Sequence, residues 1–247
     1  DIVIIMEEKK KGELVINLDT LGVPIAILIV GVIIAVVVFF SSRGVESDDV
    51  KGSSGDTSTE SFSDGKVSLG DDPYVGDLES ARVAVVEFSD YQCGYCQRHA
   101  TETYPSLKEN YVDTGEIVYV FKEFPLSGVG QIGHTTAIGG VCVFNMGGSE
   151  VFAEYHKGAF FKESEEDLVS LVSGLGLNGD DFKSCLNEGM YNDEVSADLA
   201  EGQGAGISGT PGFIVGLIGE DGVVEGKLIA GAYPYDTFVS AIEELLK

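Results

Sequence analysis

The longest apolar run in the chain is Leu21 to Phe40, LGVPIAILIVGVIIAVVVFF, twenty residues without a charged side chain. At a rise of 1.5 Å per residue such a run spans about 30 Å, the thickness of a bilayer's hydrocarbon, and so predicts a transmembrane helix. Pro24 falls near its first turn, where a missing N–H costs least. A buried helix of a globular domain would show a polar face over this length. A cleaved signal peptide would have a shorter apolar stretch and a small-residue cleavage site, which VVVFFSSRG lacks. An uncleaved anchor in the lipid bilayer is therefore expected at residues 21–40. Lys9, Lys10 and Lys11 precede it against Arg43 and Lys51 after it, which favours a short cytoplasmic segment over 1–20.

The pattern then inverts. Residues 41–72, SSRGVESDDVKGSSGDTSTESFSDGKVSLGDD, hold too few apolar side chains to offset the entropy of ordering and read as a flexible acidic Ser/Gly linker. From Pro73 to Lys247 strand and helix patterns alternate. RVAVVEFS, Arg82 to Ser89, is the nearly continuous β-branched run of a strand buried on both faces. It leads directly into YQCGYC, after which Ala100, Tyr104, Leu107 and Tyr111 form a helical stripe, with a kink expected at Pro105. EIVYVFKEF, Glu116 to Phe124, reads as a second strand and completes a β-α-β unit with a parallel pair. A helix is expected over Glu165 to Leu175, with Ser164 and Asp167 in capping-box spacing. Phe213 to Leu217 and Val223 to Ala230 read as antiparallel strands, and a final helix from Asp236 turns Phe238, Ile242 and Leu245 to the sheet.

Charge narrows the functional classes. Fifteen Lys and Arg against 41 Asp and Glu give a formal net charge of −26, the wrong sign for a protein that binds nucleic acid through its phosphates. The 44% of hydrophobic residues suffices for a packed core, and four cysteines are too sparse for a disulfide-dominated scaffold. GAGISG, at 204–209, has nucleotide-loop spacing but precedes a strand rather than opening a helix, so no nucleotide site is expected there.

The chemistry points to Cys93 and Cys96, a Cys-x-x-Cys pair where a strand hands over to a helix. The first sulfur lies where unpaired N–H groups favour an anion and is expected to be a stabilised thiolate. Gly94 and Tyr95 close the small ring, and Cys96, one turn on, is placed to resolve a mixed disulfide. A zinc site would need a second close pair, whereas Cys142 and Cys185 stand alone, and His99 is expected on the helix surface. Covalent haem would need histidine directly after the second cysteine, where Gln97 stands. A structural bridge over two residues explains a strand–helix junction poorly. No metal and no cofactor are expected.

Four segments together make the region from Pro73 to Lys247 resemble the DsbA-like branch of the thioredoxin superfamily: VVEFSDYQCGYC, the helix with Pro105 and Leu107, VFKEFPL ending at Leu126, and SGTPGFIVG from Ser208 to Gly216. The resemblance implies an α/β thioredoxin fold with an inserted helical domain at about 127–207. It implies a cis peptide at Pro211 beside the cysteines, with Thr210 contacting the reactive sulfur through its backbone and hydroxyl. It implies a buried acid at Glu87 that moves a proton to or from Cys96, for which burial in a strand should raise the carboxyl's pKa. It also implies a structural disulfide between Cys142 and Cys185, the alternative being two buried thiols. In the best-known relative the dipeptide between the cysteines is Pro-His; here it is Gly-Tyr, and a less oxidising couple is expected.

The expected protein is thus a single-pass, membrane-anchored thiol-disulfide oxidoreductase. Its catalytic domain faces the outside of the cytoplasmic membrane and introduces disulfides into thiol-containing exported proteins. Reoxidation by a quinone-linked membrane partner of the DsbB or VKOR kind is implied by the resemblance. Two rivals remain: an isomerase or reductase using the same pair, and a non-enzymatic anchored binding module in which the bridge is inert.

Overall fold

The structure, a computed structural model, describes residues 64–247. The expected anchor at 21–40 and most of the linker lie outside the described residues, and among those described no helix is long and apolar enough to cross a membrane.

The apolar run at Val83–Ser89 forms β3, every residue of it buried. It lies at the centre of a six-stranded sheet of order β1-β6-β5-β3-β4-β2. The other strands are β1 (Asp64–Ser68), β2 (Tyr74–Val75), β4 (Ile117–Glu123), β5 (Gly212–Ile218) and β6 (Val223–Ala230). β3 and β4 are parallel, with Glu87 opposite Phe121, and the remaining neighbours are antiparallel.

Between β3 and β4 runs the helix that follows the cysteines. It starts as α1 (Gly94–Arg98), widens to a π segment (His99–Thr103), tightens in α2 (Tyr104–Leu107), which holds Pro105, and widens again (Lys108–Val112). The wide turns flank the proline, which accommodates its missing N–H and ring without ending the helix. Four helices then form the insert: α3 (Ile132–Ala159, broken at Gly148), α4 (Glu165–Gly174), α5 (Gly179–Glu188) and α6 (Asn192–Gly204). Ser164 caps α4 by accepting from the Asp167 amide at 3.2 Å, as its spacing predicted. α7 (Tyr235–Leu246) closes the chain and buries Phe238 and Ile242.

The sheet separates two apolar cores. One side packs Val83, Val85, Tyr119, Phe121 and Phe213 against the post-cysteine helix, α7 and much of the insert; the other packs Ala84, Val86, Phe88 and Ile214 against α6 and β1. Alternation along the strands assigns each side chain to its face, so Glu87 lies on the cysteine side.

The linker boundary needs correction. Asp64–Ser68 is not tether but an antiparallel edge strand on β6, with Val67 buried opposite Val224, and Asp72 is buried as well. DGKVS holds one apolar residue, too little to read as a strand locally; a partner more than 150 positions later makes it one.

Candidate active site

Asp90, just past β3, organises the loop that presents the cysteines. Its carboxylate accepts from the amides of Gln92 (2.8 Å) and Leu126 (2.9 Å), and its carbonyl accepts from the Cys93 amide at 3.0 Å. Cys93 is therefore the N-cap of α1, partly exposed, while Cys96 is fully buried; both are free thiols. Across from them the Thr210–Pro211 peptide is cis, and the Thr210 carbonyl accepts from Cys93 Sγ at 3.4 Å. The Thr210 hydroxyl is buried and has no partner, so the backbone alone makes the contact with sulfur.

Gly94 and Tyr95 lie on the open side, Tyr95 61% exposed with the Arg98 guanidinium 5.0 Å above its ring. A cavity of about 300 Å³ opens beside them, lined by Tyr95, Arg98, Thr210, Ala232 and Pro234 among others.

Below the cysteines sits Glu87, with no exposed surface. Its Oε2 accepts from the Tyr119 hydroxyl at 2.6 Å, and its Oε1 has no partner. Burial raises the carboxyl from 4.5 to about 7, even though the Tyr119 hydrogen bond pulls the other way. Burial and then the Glu87 charge push the Cys96 thiol well up. A released Cys96 sulfur is thus strongly basic, and a carboxyl that exchanges its proton near neutrality lies beneath it.

His99 was expected on the surface and is instead fully buried, its Nε2 at 2.9 Å from the Tyr119 hydroxyl and its ring packed on Phe213 and Phe238. The wide turn that begins at His99 shifts the buried face of the helix by part of a turn, and the partner lies on a strand twenty positions on. Two further groups had only a weak signal, charges inside the apolar run EIVYVFKEF. Glu123 is buried with Tyr91 and His156, the Tyr91 hydroxyl lying 3.3 Å from the carboxylate and 3.1 Å from His156 Nδ1. Lys122, on the opposite face, pairs with Asp72, with Asp198 at 2.9 Å and with Glu201 at 3.1 Å.

Cys142 and Cys185 form a disulfide that ties α3 to α5, with Cα atoms 6.2 Å apart, inside the insert and apart from the reactive pair. Among the described residues no cluster of His, Cys, Asp and Glu is arranged to hold a metal ion.

A cysteine pair capping the helix after a central strand, faced by a cis-proline that opens an antiparallel hairpin and accompanied by a helical insert, defines a DsbA-like arrangement. Residues 68–244 match the thioredoxin family model, and the chain belongs to that family as a DsbA-like member of the thioredoxin superfamily. Among curated proteins it is 27% identical over 182 residues to a putative protein-disulfide oxidoreductase of Rickettsia conorii, covering 68% of this chain and 58% of that one. It is 23% identical over 192 residues to disulfide bond formation protein D of Bacillus subtilis, covering 74% and 81%. Of solved structures, alpha-DsbA1 of Wolbachia pipientis superposes with a TM-score of 0.63 at 23% identity, over 72% of this chain and 92% of that one. The chain therefore spans a little over half the length of the Rickettsia relative.

Proposed function

We propose that the protein is a thiol-disulfide oxidoreductase that oxidises pairs of thiols in exported proteins. The observation that carries this reading is the asymmetry of the pair: Cys93 reachable, Cys96 buried above a proton-exchanging Glu87. In the oxidised form a substrate thiolate attacks Cys93 Sγ and the Cys93–Cys96 bond breaks. Cys96 leaves as a thiolate and takes a proton from Glu87. A second substrate thiolate then attacks the substrate sulfur of the mixed disulfide and releases Cys93 as a thiolate. The substrate loses two electrons and the cysteine pair gains them. The cis peptide at Pro211 places the Thr210 carbonyl beside Cys93, where a bound segment would pair with backbone.

Residues 21–40 would anchor the domain on the outer side of the cytoplasmic membrane, with residues 41–63 as tether, and a quinone-linked partner of the DsbB or VKOR kind would restore the disulfide. Sequence hydropathy supports the anchor; protease protection and extraction of the full chain from membranes test it.

The oxidised wild type, mixed at equal concentration with a reduced two-cysteine peptide, is expected to convert it to the disulfide. Cys93→Ser is expected to abolish the conversion, and Cys96→Ser, given a disulfide-linked peptide in place of the reduced one, to attack it through Cys93, release one peptide thiol and accumulate the mixed disulfide. Equal rates for wild type and Cys93→Ser would end this reading. The Gly-Tyr dipeptide favours one variation, an isomerase or reductase, and a potential near −270 mV rather than −120 mV would select it.

A further inference from the structure

Glu87 is held by more than one residue. Its Oε2 accepts from Tyr119 at 2.6 Å, and the same Tyr119 oxygen lies 2.9 Å from His99 Nε2. A phenol has a single proton, and here the short contact to the carboxylate takes it. His99 Nε2 must then carry the ring hydrogen and donate it to the Tyr119 oxygen. Burial holds His99 in its neutral form, down to about 3, so the ring has one N–H to give, and its Nδ1 is left without a partner. Phe213 and Phe238 pack against the ring with centroids at 4.5 and 5.1 Å and hold it in place.

Two donors in series therefore end on the carboxylate oxygen of Glu87, while Oε1 stays unpartnered. We propose that Tyr119 and His99 are positioning residues of the exchange reaction: their donor chain governs when Glu87 holds a proton for the Cys96 sulfur. This rests on the exchange reading above and assigns two residues to its proton step. When the Cys93–Cys96 bond breaks, the proton moves from Glu87 to Cys96, and the carboxylate left behind is the form that the Tyr119 hydroxyl stabilises. Each of the two substrate thiols releases one proton; one reaches Cys96 through Glu87, and the other goes to solvent as Cys93 is released as a thiolate.

The other groups that act on this carboxyl are few. On β3 and its following loop these are Ser89 and Tyr91; on the post-cysteine helix, Cys96 and Tyr104; none carries a positive charge. Lys122 points to the opposite face of β4. With no cation to stabilise its charged form, Glu87 depends on hydroxyls, first that of Tyr119 with the histidine behind it and then that of Ser89.

The test follows the infrared carbonyl band of protonated Glu87 across pH in the full chain, assigned by its loss in Glu87→Gln, together with the pH profile of peptide oxidation. Tyr119→Phe keeps the ring and removes the hydroxyl, and should raise the midpoint by about one pH unit. His99→Phe should raise it by about half as much, because it acts through the tyrosine. In a Glu87→Gln background, Tyr119→Phe should leave the shape of the pH profile unaltered. Replacing Tyr119 with 3-fluorotyrosine, a stronger donor of nearly the same shape, should move the midpoint downward, and it serves where a truncated variant fails to fold. A Tyr119→Phe midpoint within about 0.2 pH unit of wild type, or an upward shift with 3-fluorotyrosine, overturns the proposal. A wild type that does not oxidise the peptide overturns the exchange reading instead, and the infrared midpoints then decide this one alone.

Discussion

A carboxyl buried under a reactive thiol has a thermodynamic consequence for the fold. Glu87 titrates at about 7 in the native chain against 4.5 for an ordinary glutamate. Between these values the native state keeps a proton that the unfolded chain has lost, so stability falls as pH rises through that window and levels off above it. The penalty at pH 7 and beyond is about 3 kcal/mol. Glu87→Gln, which keeps the shape but cannot ionise, should therefore be more stable than wild type at pH 8 by about 2–3 kcal/mol and indistinguishable from it at pH 4. Urea unfolding of the reduced protein at several pH values measures this, and a gain of equal size at pH 4 would contradict it. At this scale the sequence was legible where function is local. Cys93 and Cys96 were indicated by their own spacing at a strand–helix junction, whereas Glu87, Thr210 and Pro211 were indicated only by the resemblance of their motifs to the DsbA-like family. His99 was misread because a wide helical turn, invisible in the residue pattern, rotated it inward, and because Tyr119 belongs to another element. Lys122 and Glu123 could be seen as charges in an apolar strand, but their partners Asp72, Asp198, Tyr91 and His156 could not.

Elements were legible in proportion to their own apolar content. β3 and β4 declare themselves by composition and α7 by its stripe, whereas β1 exists only through its pairing with β6. α6 shows a close approach of the same non-local kind: a Cβ at Gly202 would come within 2.7 Å of Phe88 and 2.8 Å of Phe124, so only glycine lets this helix lie on those rings. The insert has its own staple. The Cys142–Cys185 bond closes a loop of 43 positions, and removing such a cross-link frees unfolded-chain entropy equivalent to about 4 kcal/mol. The double variant Cys142→Ala/Cys185→Ala should lose about 2–4 kcal/mol in denaturant melts. Its Cys93–Cys96 pair should retain peptide-oxidising activity at temperatures where the fold persists. Loss of activity without loss of stability would instead tie the second disulfide to the chemistry.

Across the whole molecule, the acidic excess governs how stability responds to salt. At −26 the chain repels itself, and the repulsion is felt over about 30 Å in 10 mM salt but only about 3 Å in 1 M. The melting temperature of the full chain is expected to rise by about 4 °C or more from 10 mM to 1 M KCl. A flat or falling curve would show that the buried Lys122 cluster and other attractive pairs outweigh the repulsion.

The insert also meets the reactive loop directly. The amide of Phe161, just past α3, donates to the Tyr91 carbonyl at 3.0 Å, and Phe161 holds a positive φ of 57° while facing Gly94. On the exchange reading proposed above, a change in the helical segment would alter the surface beside Gly94 that a client reaching Cys93 would meet. Chimeras that exchange this segment between relatives should carry client preference along with it, even when the cysteines and everything between them stay the same.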